Sequence, residues 1–102
     1  MTFSDHDQFV IEMLRDDHSF AVEYLKEALA ELDKEDGEAL FLLALRRLVE
    51  ARGGISKIAR AANLNRETLY RTLSERGNPT INTTKKVLHA AGIRFSELTG
   101  HV

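Results

Sequence analysis

The chain of 102 residues has no cysteine, no tryptophan and a single proline. Without cysteine there is no disulfide, no thiol catalysis and none of the usual cysteine-ligated structural zinc sites. No apolar run approaches the roughly 18 residues that a membrane-spanning helix needs, and no glycine-rich phosphate loop, internal repeat or low-complexity tract is present. The opening MTFSDHDQFV is acidic where a secretory leader is basic. The expectation is a cytoplasmic protein without a membrane segment. His6, His18, His89 and His101 are the only candidates for metal binding or acid–base work, and none sits four residues from another as helical metal ligands do. The serine beside the basic cluster has no histidine or acid near it in the manner of a triad. No enzyme, metal or cofactor is expected.

What is present is an apolar content of 43%, enough for one domain's core, with a helical spacing almost throughout. Ser4 and Asp7 read as a capping box ahead of Phe9, Val10, Met13 and Leu14. Phe20, Ala21, Tyr24, Leu25, Ala28, Leu29 and Leu32 form the apolar stripe of a second helix with an acidic outer face, ending over Asp33 to Gly37. Leu40, Phe41, Ala44, Leu45, Leu48 and Val49 form a third stripe, which Leu42 and Leu43 widen, so this helix is expected deep in the core. Gly53 and Gly54 stop it, and Gly77, Asn78 and Pro79 mark a later break. A last helix, capped by Thr80 or Asn82, turns Ile81, Val87, Leu88 and Ala91 inward and ends at Gly92. Arg94 to Leu98 alternates weakly, as a short strand would. The predicted class is an all-α compact helical bundle with that one short C-terminal strand.

Residues 55 to 74, ISKIARAANLNRETLYRTLS, carry the functional signal: two short helices joined by a tight turn. Ile55, Ile58, Ala59 and Ala62 face inward on the first, with Ala59 small where the helices cross, and Leu64, Leu69 and Leu73 complete the wedge. Asn63 stands where the chain must enter left-handed space, which asparagine tolerates best after glycine. Asn65 suits the N-cap of the second helix. Arg66, Glu67, Tyr70, Arg71 and Ser74 then share the outer face. Ser56 and Lys57 open the first helix with hydroxyl, ammonium and backbone donors suited to a phosphate. Arginine on such a face is the residue that most often reads guanine in the major groove. In a blander reading these are solvated helix charges and an ordinary helical corner.

Charge is divided along the chain. Residues 1–38 hold 12 acidic and 3 basic side chains, a net of −9; residues 39–102 hold 4 acidic and 11 basic, a net of +7. Such a split suggests two surfaces with different partners. Lys57, Arg60, Arg66, Arg71, Arg76, Lys85, Lys86 and Arg94 are placed to neutralise phosphates, whereas the acidic part is repelled by DNA and suits a basic protein or solvent. The organisation expected is an acidic, partner-binding arm over 1–38 followed by a DNA-binding domain over 39–102.

The run ARGGISKIARAANLNRETLYRTLSERGNPTINTTKKVLHAAGI at 51–93 resembles the HigA-like antidote proteins of addiction modules, which carry a Cro/C1-type (lambda repressor-like) helix-turn-helix. The glycine pair, LNRETLYRTLSERGNPT at 64–80 and KVLHAAGI at 86–93 carry the resemblance, and YLKEALAELDKEDGEALFLLALRRLVEARGG at 24–54 is similar to the family's leading helices. Lys85 and Thr84 are more polar than the family tends to be there. The resemblance covers about three quarters of the chain. It implies two partners, double-stranded operator DNA and a RelE/ParE-like (HigB-like) toxin that typically cuts RNA. Because a single recognition helix reads few base pairs, we expect a homodimer on an inverted repeat that represses its own operon. We place the dimer contact on the last helix and the tail around Ile93, Phe95 and Leu98, and the toxin contact on the acidic helices before residue 39. A stand-alone helix-turn-helix repressor, and a protein-interaction module without DNA binding, are the alternatives.

Overall fold

Ser4 starts the fold. Its hydroxyl accepts from the Asp7 N–H at 3.1 Å while the Asp7 carboxylate accepts from the Ser4 N–H at 2.8 Å, a closed capping box. Helix α1 (Asp5–Asp16) follows, then α2 (His18–Ala30), capped by Asp17, and α3 (Gly37–Ala51). Two short helices, α4 (Ile55–Ala61) and α5 (Arg66–Thr72), precede α6 (Ile81–Ala90), capped by Thr80, and α7 (Phe95–Thr99). These elements come from a computed structural model that describes residues 2–99; among them there are seven helices and no strand. His101 lies outside the described residues.

Helix α3 is the axis. It buries Phe41, Leu42, Ala44, Leu45, Leu48, Val49 and Ala51, packing against α1 and α2 on one side and α4 on another. Helix α4 in turn rests on α5 and α6, and α7 closes the bundle against α2 and α6. One contiguous core runs from Val10, Ile11 and Leu14 of α1, through Ala21 and Leu25 of α2, to Val87, Leu88, Ile93 and Leu98 at the far end. The radius of gyration, 12.5 Å, is what a single compact domain of this length has, about 13 Å. The acidic and basic parts of the sequence thus share one interior.

Three arginines of the basic part are staples within that interior. Arg47 places Nε and a terminal nitrogen on the same Asp7 oxygen at 2.7 Å and donates to the Tyr24 hydroxyl at 2.7 Å, tying α3 to α1 and α2. Arg46 donates to the Leu73 carbonyl at 2.6 Å. Arg52 donates to the carbonyls of Ala91, at 2.8 Å, and Leu14, at 3.3 Å, satisfying acceptors that two helix ends leave open.

Several sequence expectations are corrected. Arg94–Leu98 is no strand: Phe95–Thr99 is a helical turn, with the Glu97 carboxylate accepting from the Arg94 N–H at 2.9 Å and from His18 Nε2 at 3.0 Å. Both contacts, the backbone one foremost, hold the Glu97 carboxyl below its ordinary pKa. Ile93 and Leu98, expected at a dimer contact, are core residues, and Phe95 is half-buried. Helix α1 is rotated so that Val10, Ile11 and Leu14 face inward while Phe9 and Met13 face out, and the same orientation brings Asp7 to Arg47. Ile81, at the start of α6, is exposed, and Leu40 is likewise half in solvent. Thr84, buried, has its hydroxyl satisfied by the Thr80 carbonyl at 2.9 Å, which explains how a polar residue is accommodated there.

Candidate nucleic-acid interface

The α4–α5 pair is held in shape by local chemistry. Ile58 and Ala59 are buried, Ile55 and Leu64 are half-buried against the same core, and Ala62 is half-buried. Helix α4 ends in a Schellman arrangement: Asn63 takes φ 56°, its N–H donates to the Arg60 carbonyl at 3.1 Å, and the Leu64 N–H donates to the Ala59 carbonyl at 2.8 Å. The Asn65 side chain then accepts from the Thr68 N–H at 2.9 Å and caps α5. At the other end Arg46 holds the Leu73 carbonyl, and the backbone at Gly77 passes so near that a β-carbon there would run into the Thr72 carbonyl. Asn63→Ala is expected to lower stability by about 1 kcal/mol, the cost of left-handed backbone, and hence the melting temperature by roughly 4–8 °C. Thermal denaturation checks this; Asn63→Gly should show no loss.

The helical period brings four predicted residues together. Arg66, Glu67, Tyr70 and Arg71 line one shallow depression on the outer side of α5. Ser56 joins them through its hydroxyl, which accepts from Arg66 Nε at 2.7 Å and fixes the start of α5 against the start of α4. Tyr70 is 40% exposed and also borders a second groove containing Phe3, Leu43, Arg46 and Ser74. The remaining predicted residues are placed elsewhere. Ser74 is half-buried, lines only the second groove and donates to the Arg71 carbonyl at 2.7 Å. Asn65 has its side-chain oxygen occupied by the cap. Lys57 is exposed on α4, with its alkyl stem lying over Gly53.

Beyond Arg71 a further shallow surface runs along α5 through Thr68, Thr72, Arg76 and Asn78. Thr68, Thr72 and Asn78 are not among the residues predicted from sequence, although the four-residue spacing of the two threonines places them on one flank. Lys57, Arg60, Arg66, Arg71 and Arg76 make no ion pair with a carboxylate among the described residues. Arg66, Arg71 and Arg76 against Glu67 leave the surface formed by these two depressions positive, with a planar phenol and two threonine hydroxyls among the charges. Such a set can bind phosphate oxygens and hydrogen-bond to base edges. No group of three or more histidines, aspartates or glutamates is placed to hold a metal among the described residues, and no helix there is long and apolar enough to cross a membrane.

Fold and surface together define a small all-α protein that presents one short, cation-bearing helix. The chain belongs to the family described as probable addiction module antidote protein, whose sequence model matches residues 5–99. It is also similar to a protein of Haemophilus influenzae described only as uncharacterized, 40% identical over 88 residues that span 82% of this chain and 90% of the relative. No solved structure matches it. Membership of an antidote family implies a toxin partner in general.

Proposed function

We propose that this protein is the non-enzymatic antitoxin of a type II toxin–antitoxin module. It neutralises a RelE/ParE-like toxin by direct contact and represses its own operon as a DNA-binding homodimer. The family supports the antidote role. The reading of DNA binding rests on one observation, the gathering of Arg66 and Arg71 with Glu67 and Tyr70 on the outer side of α5. In this reading α4 and α5 form a helix-turn-helix, α5 enters the major groove, and Arg66, Arg71 and Tyr70 reach base edges or phosphates. Ser56 and Lys57, at the start of α4, approach the backbone. Ser56 supports Arg66 as well.

One short helix reads few base pairs, so specificity comes from two copies on half-sites about 34 Å apart. Because Ile93 and Leu98 are committed to the core, the dimer uses other surface. The toxin contact falls to the acidic helices, since an RNA-cutting toxin is expected to be basic where it meets a phosphate chain. The surfaces for the two partners are then of opposite sign.

The test is co-purification with the product of the adjoining gene, and binding of free protein and complex to the upstream promoter at two salt concentrations. Arg66→Ala and Arg71→Ala are each expected to weaken promoter binding by about 1–3 kcal/mol, roughly 5- to 150-fold. For every phosphate that a variant no longer neutralises, the log–log salt slope should flatten by about 0.9. Undiminished binding in both variants would remove α5 from the interface. Promoter binding without capture of the neighbour would mark a stand-alone repressor.

A further inference from the structure

The corner where α2 turns into α3 combines concavity, exposed apolar surface and charge of one sign. A groove of about 190 Å³ has Tyr24, Ala28, Leu40 and Leu43 as its apolar wall and Glu27 and Glu31 on its rim. Leu40 is 53% exposed there, although it belongs to the helix with the deepest burial in the molecule. Across the corner a second cavity of about 130 Å³ is bounded by Leu32, Phe41, Glu38 and the 68%-exposed Ile81. Between them, residues 31–38 carry five carboxylates and one lysine.

Charge in this corner is left over after the internal pairs are made. Lys34 is used by Glu31 at 2.6 Å. Arg47, the cation in the groove wall, is used by Asp7 and Tyr24. Glu27, Asp33, Glu35, Asp36 and Glu38 have no cation within ion-pair distance among the described residues. The other exposed apolar pair, Phe9 and Met13, lies on the outer face of α1 and lines none of these hollows. It is less suited to seat a side chain.

We propose that the α2–α3 corner is the docking surface for the toxin, and that it takes a basic amphipathic segment of that partner. An apolar side chain seats against Leu40 and Tyr24, and lysines or arginines face Glu27, Glu31 and the acidic turn. The occupant follows from the charge: a segment with apolar anchors alone would leave the carboxylates desolvated without compensation, and an acidic one would be repelled. A central aliphatic anchor inside a charged rim is the usual distribution of binding energy at an interface, and a helix laid in a groove is a common way to supply it. The inference rests on the antitoxin reading and adds the surface and the chemistry of the partner's segment.

The experiment measures binding of the purified product of the adjoining gene to the full chain and three variants, each first shown to melt like the parent. Leu40→Arg removes the anchor and opposes the partner's charge, and the double variant Glu27→Lys with Glu31→Lys reverses the rim. Both are expected to weaken binding at least about tenfold. The rim variant should also lose most of the salt dependence, because rim charges act chiefly on association. The control, Phe9→Ser with Met13→Ser, should bind within about twofold of the parent. Leu40→Ser replaces Leu40→Arg if the latter melts early. Parental binding by both corner variants overturns the surface while leaving the antitoxin reading intact. Failure of the unmodified chain to bind the neighbour overturns both.

Discussion

A chain beginning at residue 39 is expected to have no cooperative melting transition, although it keeps every residue of the proposed DNA-binding face. Val10, Ile11, Leu14 and Leu25 are buried against α3. Burying each such side chain stabilises by about 1.5–3 kcal/mol, so the four together contribute on the order of 6–12 kcal/mol. That is comparable with the whole stability of an ordinary domain, about 5–15 kcal/mol. Polar losses add to it, since Arg47 would lose both Asp7 and Tyr24, and Arg52 would lose the Leu14 carbonyl. The measurement is circular dichroism and thermal melting of residues 39–102 beside the full chain. A sharp transition in the fragment near that of the full chain would sink the idea of a shared folding unit, as would two separate transitions in the full chain. In the proposed function the acidic helices carry the toxin contact, and because they are part of the core a change in their packing passes to α3, whose Arg46 holds the end of α5.

Local chemistry made much of this readable in advance. The capping pair Ser4 and Asp7, the left-handed Asn63, the Asn65 cap and Gly92 (φ 88°) just past α6 all stand where their side chains or lack of one predict. The depth of α3 follows from apolar residues on more than one face. The clustering of Arg66, Glu67, Tyr70 and Arg71 follows from the 3.6-residue period alone. Long-range pairing was not readable. The 3.6-residue period alone allows α1 to present Phe9 and Met13 or Ile11 to the core; the structure has Ile11 inward, with Asp7 meeting Arg47, 40 positions away. For the same reason Arg46, Arg47 and Arg52 count toward a basic half while their guanidinium donors are used within the fold, Arg47 on a carboxylate. The turn at Phe95–Thr99 is too short to display a period, and only Glu97, three residues after Arg94, hints at it. Asn65 and Ser74 show a different limit: both lie near the predicted face, yet the structure spends their side chains on the backbone of α5.

Asp7→Asn is expected to cost about 2–4 kcal/mol at neutral pH, somewhat less than the 3–5 kcal/mol of a fully buried broken pair, because 13% of Arg47 and 15% of Asp7 remain exposed. The carboxylate serves twice: one oxygen takes the Arg47 fork and the other takes the Ser4 N–H and hydroxyl. The Ser4 backbone bond first, then the Arg47 bond, hold its pKa below the ordinary aspartate value. Burial alone would lower the Arg47 pKa, but its bonds to Tyr24 and Asp7 outweigh that and raise it. A carboxylate with a folded pKa below its unfolded value, about 3.9, stabilises fully above that value and loses the contribution as pH falls through the folded pKa. The parent should therefore lose stability steeply on acidification below about pH 4, and Asp7→Asn, which has no proton to take up there, should lose less. Asp16 is also lowered, by Arg15, but that pair is exposed on α1 and adds little. Denaturant unfolding at pH 7 and pH 3 measures the effect: the gap between parent and variant must shrink at the lower pH. Arg47→Met supplies the partner control, since in the double variant no charge is stranded and the loss should be smaller than the sum of the single losses. A gap that stays constant with pH, or single losses that simply add, would place the stability of the α1–α3 contact in apolar packing instead of in this pair.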